Sequence, residues 1–111
     1  MTKFLVLYKS SVPAAQQMAG ATPEQMKEGM DLWKAWAQEA QKAIVDLGMP
    51  LKNPLQIAGT SVRQSDSKVT GFSVLQAEST RAVTDLLIKH PHRRAPGASI
   101  EVLEMMPIPG M

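Results

Sequence analysis

Residues 4 to 9, FLVLYK, form an unbroken apolar and aromatic run of strand length. No other segment limits the fold as much. A strand with one wet face alternates apolar with polar residues, whereas a continuous run predicts a strand buried on both faces, with something covering each. The same run is too short for a signal-peptide core or a membrane span. We expect a cytoplasmic chain with no membrane partner.

After this strand come 13 residues without clear periodicity (10 to 22), and the stretch SSVPAAQQMAGATP carries no charge. It reads as a lid over a cleft mouth or as a short helix packed on a partner. A helix then starts at TPEQ: Thr22 caps it, Pro23 suits its first turn and Gln25 completes a capping box. Met26, Met30, Trp33, Ala37, Ala40, Ile44 and Leu47 recur at steps of four and three, ending at Gly48 with Pro50 beyond. That spacing predicts one long helix of about 37 Å, against about 23 Å for a seven-residue strand. One end should overhang the sheet, or the helix should bend near Gly29.

LQIAGTSVRQ (55 to 64) and KVTGFSVLQA (68 to 77) read as two strands, paired antiparallel through a turn at the intervening SDS. ESTRAVTDLLIKH (78 to 90) places Ala82, Val83, Leu86 and Leu87 on one helical face, capped by Ser79 or Thr80 and stopped by Pro91. SIEVLEMM (99 to 106) is the last strand, before a stiff PIPGM tail. The order is β-α-β-β-α-β, so the expected fold class is α+β: a ferredoxin-like split βαβ subunit with both helices on one face of a four-stranded sheet. The uncovered face, with the apolar 105 to 111 segment, predicts a homodimer.

The 111 residues, 44% hydrophobic and 20% charged, suit a single domain over 1 to 111. With no cysteine, disulfides, thiolate–metal sites and a cysteine nucleophile are excluded. A net charge of +2 from nearly balanced acids and bases implies no general attraction to nucleic acid, and no aromatic residue interleaves with the basic cluster. No nucleotide or nucleophile-elbow motif occurs, so no cofactor is expected.

FLVLY, WKAW (33 to 36), VTGFSV (69 to 74), HPH and SIEVLEMMPIPG (99 to 110) together resemble the YCII-related, DGPF-domain proteins. The likeness covers nearly the whole chain. It implies a dimeric α/β barrel built from two ferredoxin-like subunits, each with a cleft between sheet and helices. Most members of that family have no assigned activity, while a few are small catabolic enzymes, dehalogenating ones among them, for which a His–Asp acid–base pair has been proposed. In the better-known branch of the family a histidine lies early in the first long helix and an Asp-Pro-aromatic motif follows the second. Here residues 23 to 36 contain no histidine, and His90-Pro91-His92 stands at the second place. The pair is therefore not carried over residue by residue.

Both histidines of the chain lie in KHPHRRAPG (89 to 97). Proline fixes φ and stops the helix, so His90 and His92 can be held on a rigid corner as acid–base groups, with Asp31 or Tyr8 orienting a ring. Alternatively His90 serves the terminal carbonyls and dipole of its own helix while His92 starts a loop. A metal site would need three or four protein ligands, and none is expected. Lys89, Arg93 and Arg94 add a basic cluster that holds an anionic group on a ligand or simply suits a helix C-terminus. Trp33 belongs to the core stripe, whereas Trp36 is offset by about 60° and lines a cleft or a dimer seam.

The expected function is binding of a small anionic or aromatic molecule in a cleft, with catalytic candidates His90 and His92 and ligand-binding candidates Tyr8, Asp31, Trp36 and Arg93. The alternative is a non-catalytic homodimer that serves assembly or regulation. Whether the chain is an enzyme stays open at this level.

Overall fold

A computed structural model describes residues 1–110. The fold is α+β, organised around β1 (Thr2–Lys9), which pairs antiparallel on both sides. The four-stranded sheet has the order β2-β5-β1-β6, from β2 (Ile44–Asp46), β5 (Val69–Ala77) and β6 (Ser99–Glu104). Three helices join the strands: α1 (Ala14–Gly20), α2 (Pro23–Glu39) and α3 (Thr80–Leu87).

One face of β1 is fully covered: Phe4, Val6 and Tyr8 are buried, as are Ser73, Leu75 and Ala77 on neighbouring β5. Trp36 and Ala40 from the α2 end and Val83 and Leu87 from α3 complete that core. The other face differs from the expectation of double burial. Leu5 and Leu7, facing Val74 and Phe72, are only half-buried, and Leu103 opposite Leu5 is exposed. The apolar run reflects two apolar faces, of which this chain covers one.

The start of α2 forms as its sequence dictates. The Gln25 N–H donates to Thr22 Oγ1 at 3.1 Å and the Thr22 N–H donates to Gln25 Oε1 at 2.9 Å, with Pro23 in the first turn. Its end does not. The helix stops at Glu39, a 3-10 turn spans Gln41–Ala43, and Ile44–Asp46 becomes a strand. Ile44 satisfies the same core from either conformation, because opposite Leu75 on β5 it points inward as it would at the next helical turn. β-branched Ile44 and Val45 favour the strand. At 17 residues the helix is about 26 Å long, closer to the sheet's span. Its N-terminal half still overhangs, leaving Met26 and Met30 exposed.

Residues 55 to 64 do not form one strand paired with 68 to 77. This segment folds on itself as β3 (Leu55–Ala58) and β4 (Ser61–Gln64), a separate two-stranded sheet. The Ala58↔Ser61 pairing leaves Gly59 and Thr60 as the turn, and Gly59 adopts φ 61°. A two-residue loop led by glycine in the left-handed region matches strand twist better than the SDS stretch, so the local hairpin wins. The chain is flat, 48 × 43 × 20 Å, with a radius of gyration of 15.4 Å where a compact domain of this length has about 13 Å. Among the described residues no helix is long and apolar enough to cross a membrane.

Candidate functional site

His90 sits where α3 has ended and Pro91 begins a 3-10 turn (Pro91–Arg94). The residue before a proline is driven to extended backbone, and His90 takes φ −70°, ψ 137°. That geometry turns its ring back over the turn it precedes. The His92 N–H donates to His90 Nδ1 at 2.9 Å, so the imidazole caps the 3-10 turn. Since Nδ1 accepts, the ring proton of neutral His90 is on Nε2. Nε2 is buried and has no hydrogen-bond partner among the described residues.

Three aromatic side chains surround this ring, which is 2% exposed. Tyr8 stacks on it, with centroids 4.7 Å apart and planes at 27°. Trp33 and Trp36 meet it edge-on at 4.3 and 4.4 Å. Burial lowers the His90 pKa from 6.5 to about 3, and the neighbouring His92 pushes the same way. A protonated imidazole would lose its hydration here and gain no carboxylate in return.

Tyr8 is committed to a chain of its own. Its hydroxyl donates to Ser73 Oγ at 2.9 Å, and Ser73 Oγ donates to the Leu47 carbonyl at 2.6 Å. Burial pushes the phenol up to about 12, with the Ser73 bond opposing. His92 is tied to the end of β1: its Nε2 lies 2.8 Å from the Lys9 carbonyl, which only accepts, so Nε2 carries a proton. The centroids of the two imidazoles are 6.5 Å apart.

The His90 ring does not serve the C-terminal carbonyls of α3; its backbone N–H donates to the Leu87 carbonyl at 3.0 Å, and Arg93 Nη1 donates to the Ile88 carbonyl. Asp31 orients neither ring: it is exposed and pairs with Lys27 at 3.5 Å. Tyr8 holds His90 by stacking rather than by a hydrogen bond. Trp36 is the more deeply buried tryptophan, its indole N–H donating to the Leu86 carbonyl at 3.0 Å, while Trp33 is half-buried. The early end of α2 explains the exchange, because its last turn packs against the end of α3 instead of continuing along the sheet.

Sequence reasoning passed over Ser73 and Ser10. Ser73 is a polar residue on the buried face of β5, alternating with Gly71 and Leu75, at the position where the only tyrosine needs an acceptor. Buried Ser10 donates to the Pro96 carbonyl at 2.6 Å and accepts from the Val12 N–H at 3.1 Å. It pins the uncharged loop at its root, and none of α1 beyond it is buried.

Outside the aromatic box lies an open groove of about 560 Å³ between α2 and the α3 end. Trp36, His90 and Pro91 contribute to its lining, with Leu32 and Ile88 as apolar walls; Lys89, Arg93 and Arg94 oppose a single acid, Glu39. The arrangement suits an anion with an apolar body. Among the described residues no group of three His, Asp or Glu could hold a metal ion. No protein-family model matches the chain, and no curated protein matches it.

Proposed function

We propose that the protein is a homodimer of ferredoxin-like subunits, a dimeric α/β barrel of the YCII-related, DGPF-domain kind, in which each subunit binds a small anionic or aromatic molecule over Trp36 and His90. The observation that carries the binding part is the buried His90 Nε2–H, which has no acceptor among the described residues, on a residue that also contributes to the lining of a basic groove. A buried donor without a partner costs about 1–3 kcal/mol. A ligand oxygen that accepted this proton would recover that cost.

His90 then acts as a neutral donor. With its pKa near 3 it holds no second proton to give at neutral pH and is a weak base. The strand order β2-β5-β1-β6, with the β3–β4 ribbon as an insertion, supports the split-βαβ reading. The half-exposed apolar face of Leu5, Leu7, Phe72 and Val74 supports the dimer. A second reading, a non-catalytic assembly or regulatory protein, is favoured by one fact: the Tyr8 hydroxyl, the Trp36 indole N–H and His92 Nε2 are all committed to internal partners.

Thermal shift against benzoate, phenylacetate and succinate at millimolar concentration separates the two. A ligand at 100 times its Kd adds about 2.7 kcal/mol. His90→Phe keeps the ring stack and removes the donor, so the binding reading expects the wild-type shift to disappear in the variant. No shift in the wild type from any of the three acids favours assembly.

A further inference from the structure

We propose that the β3–β4 ribbon is an arm that closes on a second copy of the chain, an inference that rests on the dimer just proposed. Its register, Leu55↔Gln64 and Ile57↔Val62, puts Leu55, Ile57 and Val62 on one side with Gln64 at its edge. Gln56, Ala58, Ser61 and Arg63 occupy the other. The ribbon is therefore amphipathic. Yet among the described residues little covers its apolar side: Leu55 is 66%, Ile57 72% and Val62 61% exposed. It is hydrogen-bonded to no strand of the main sheet, and a lone two-stranded hairpin is marginal in water.

The area says how large a partner is missing. The chain exposes 8241 Å², whereas a compact monomer of 12.1 kDa exposes roughly 6,000 Å². The surplus of roughly 2,000 Å² is the share one subunit contributes to an obligate dimer, whose interfaces bury roughly 2,000–5,000 Å² in total. The open sheet face supplies only part, since Leu5, Leu7, Phe72 and Val74 are already half-buried. Apart from Met1 and Met49, the most exposed large apolar residues lie on the ribbon and in the segment of Met106 and Ile108. The ribbon's apolar side carries no charge, which fits an uncharged apolar surface such as the second copy's own rather than an acidic or basic partner.

The test is sedimentation of the full chain over a range of concentrations, for the wild type and two double variants. Ile57→Lys with Val62→Lys should raise the dimer Kd at least about 100-fold, as two buried apolar anchors become charged. The same variant should keep its far-UV circular dichroism, because both side chains are exposed within one subunit. Gln56→Lys with Ser61→Lys, on the opposite side, should leave Kd within about threefold. A wild-type dimer unaffected by the apolar-side charges overturns the arm and leaves the dimer standing. Equal weakening by both variants also overturns it, since the effect would then be one of charge alone. A wild type that is monomeric at high concentration removes the dimer and the arm with it.

Discussion

Two antiparallel pairs in this molecule each divide their side chains between two faces and meet opposite fates. On β1 and β5 the inward residues Phe4, Val6, Tyr8 and Leu75 are sealed beneath α2 and α3. On β3 and β4, Leu55, Ile57 and Val62 line up as regularly and remain in solvent. Strand geometry thus decides which residues share a side. What lies over that side depends on connectivity, and two helices return over β1 while none returns over the ribbon. Stability inside one subunit should therefore be concentrated in the first pair.

The sharpest way to break that contrast uses two glycines with similar backbone. Gly48 has φ 78° and a Cβ placed on it would lie 1.7 Å from the Phe72 carbonyl oxygen, where the chain after β2 passes against β5. Gly59 has φ 61° and a Cβ there meets nothing within 4 Å. Left-handed backbone alone costs an L-residue about 1–2 kcal/mol. Gly59→Ala should cost that much, and Gly48→Ala should add a backbone clash and exceed about 3 kcal/mol. Urea denaturation measures both; equal losses would mean the region around β5 is no more constrained than the ribbon.

A smaller effect is expected at Ser73, which is buried between the Tyr8 hydroxyl and the Leu47 carbonyl. Ser73→Ala leaves both groups unpaired and should cost about 1–3 kcal/mol. Adding Tyr8→Phe removes the stranded phenol and should recover part of the loss. On the ribbon, Ser61→Ala should change stability by less than about 0.5 kcal/mol. Double-mutant denaturation curves report the coupling, and strictly additive losses would deny the Tyr8–Ser73 link.

His90 extends the contrast to pH. Its folded pKa of about 3 lies below the ordinary 6.5, so between those values the unfolded chain binds a proton that the folded chain refuses. Its stabilisation is fully present above pH 6.5 and is lost as pH falls toward 3. From about pH 7 to about pH 5 the wild type should lose about 1–2 kcal/mol more than His90→Phe. Comparing the two proteins cancels the acid response of the exposed carboxylates, which both share. Parallel curves would show that the ring is hydrated in solution and that the box is open.

Much of this was legible in the chain where the signal is local. TPEQ specified a helix start and Ser79-Thr80 a second, with Ser79 the cap, because caps act over a few residues; Pro91 barred continuation of a helix that ends earlier, at Leu87. The residues 44 to 47 misled for a physical reason: Ile44 and Leu47 continue the helical stripe, and only pairing with β5 makes Ile44–Asp46 a strand. LQIAGTSVRQ read as one strand because Gly59-Thr60 interrupts it with only two residues. At the site, the two histidines drew notice as a cluster, but the stacking of Tyr8 on His90 joins positions far apart in sequence. Periodicity also ranked the tryptophans in the wrong order of burial, since it could not tell that α2 ends at Glu39.

The smallest predicted effect tests whether burial, rather than helix chemistry, separates the two regions. Thr22 and Ser79 cap α2 and α3 by the same kind of bond, each accepting from a backbone N–H at 3.1 Å. Val83 and Leu87 of α3 are buried, so fraying its first turn pulls on the core. The first two turns of α2 bury nothing, Met26 and Met30 included, so fraying there pulls on little. Ser79→Ala should lower global stability by about 1 kcal/mol. Thr22→Ala should lower it by less than about 0.5 kcal/mol while hydrogen exchange accelerates locally over residues 24 to 30. If Thr22→Ala costs as much globally as Ser79→Ala, the overhanging half of α2 is packed in solution, and its cover must come from outside the subunit.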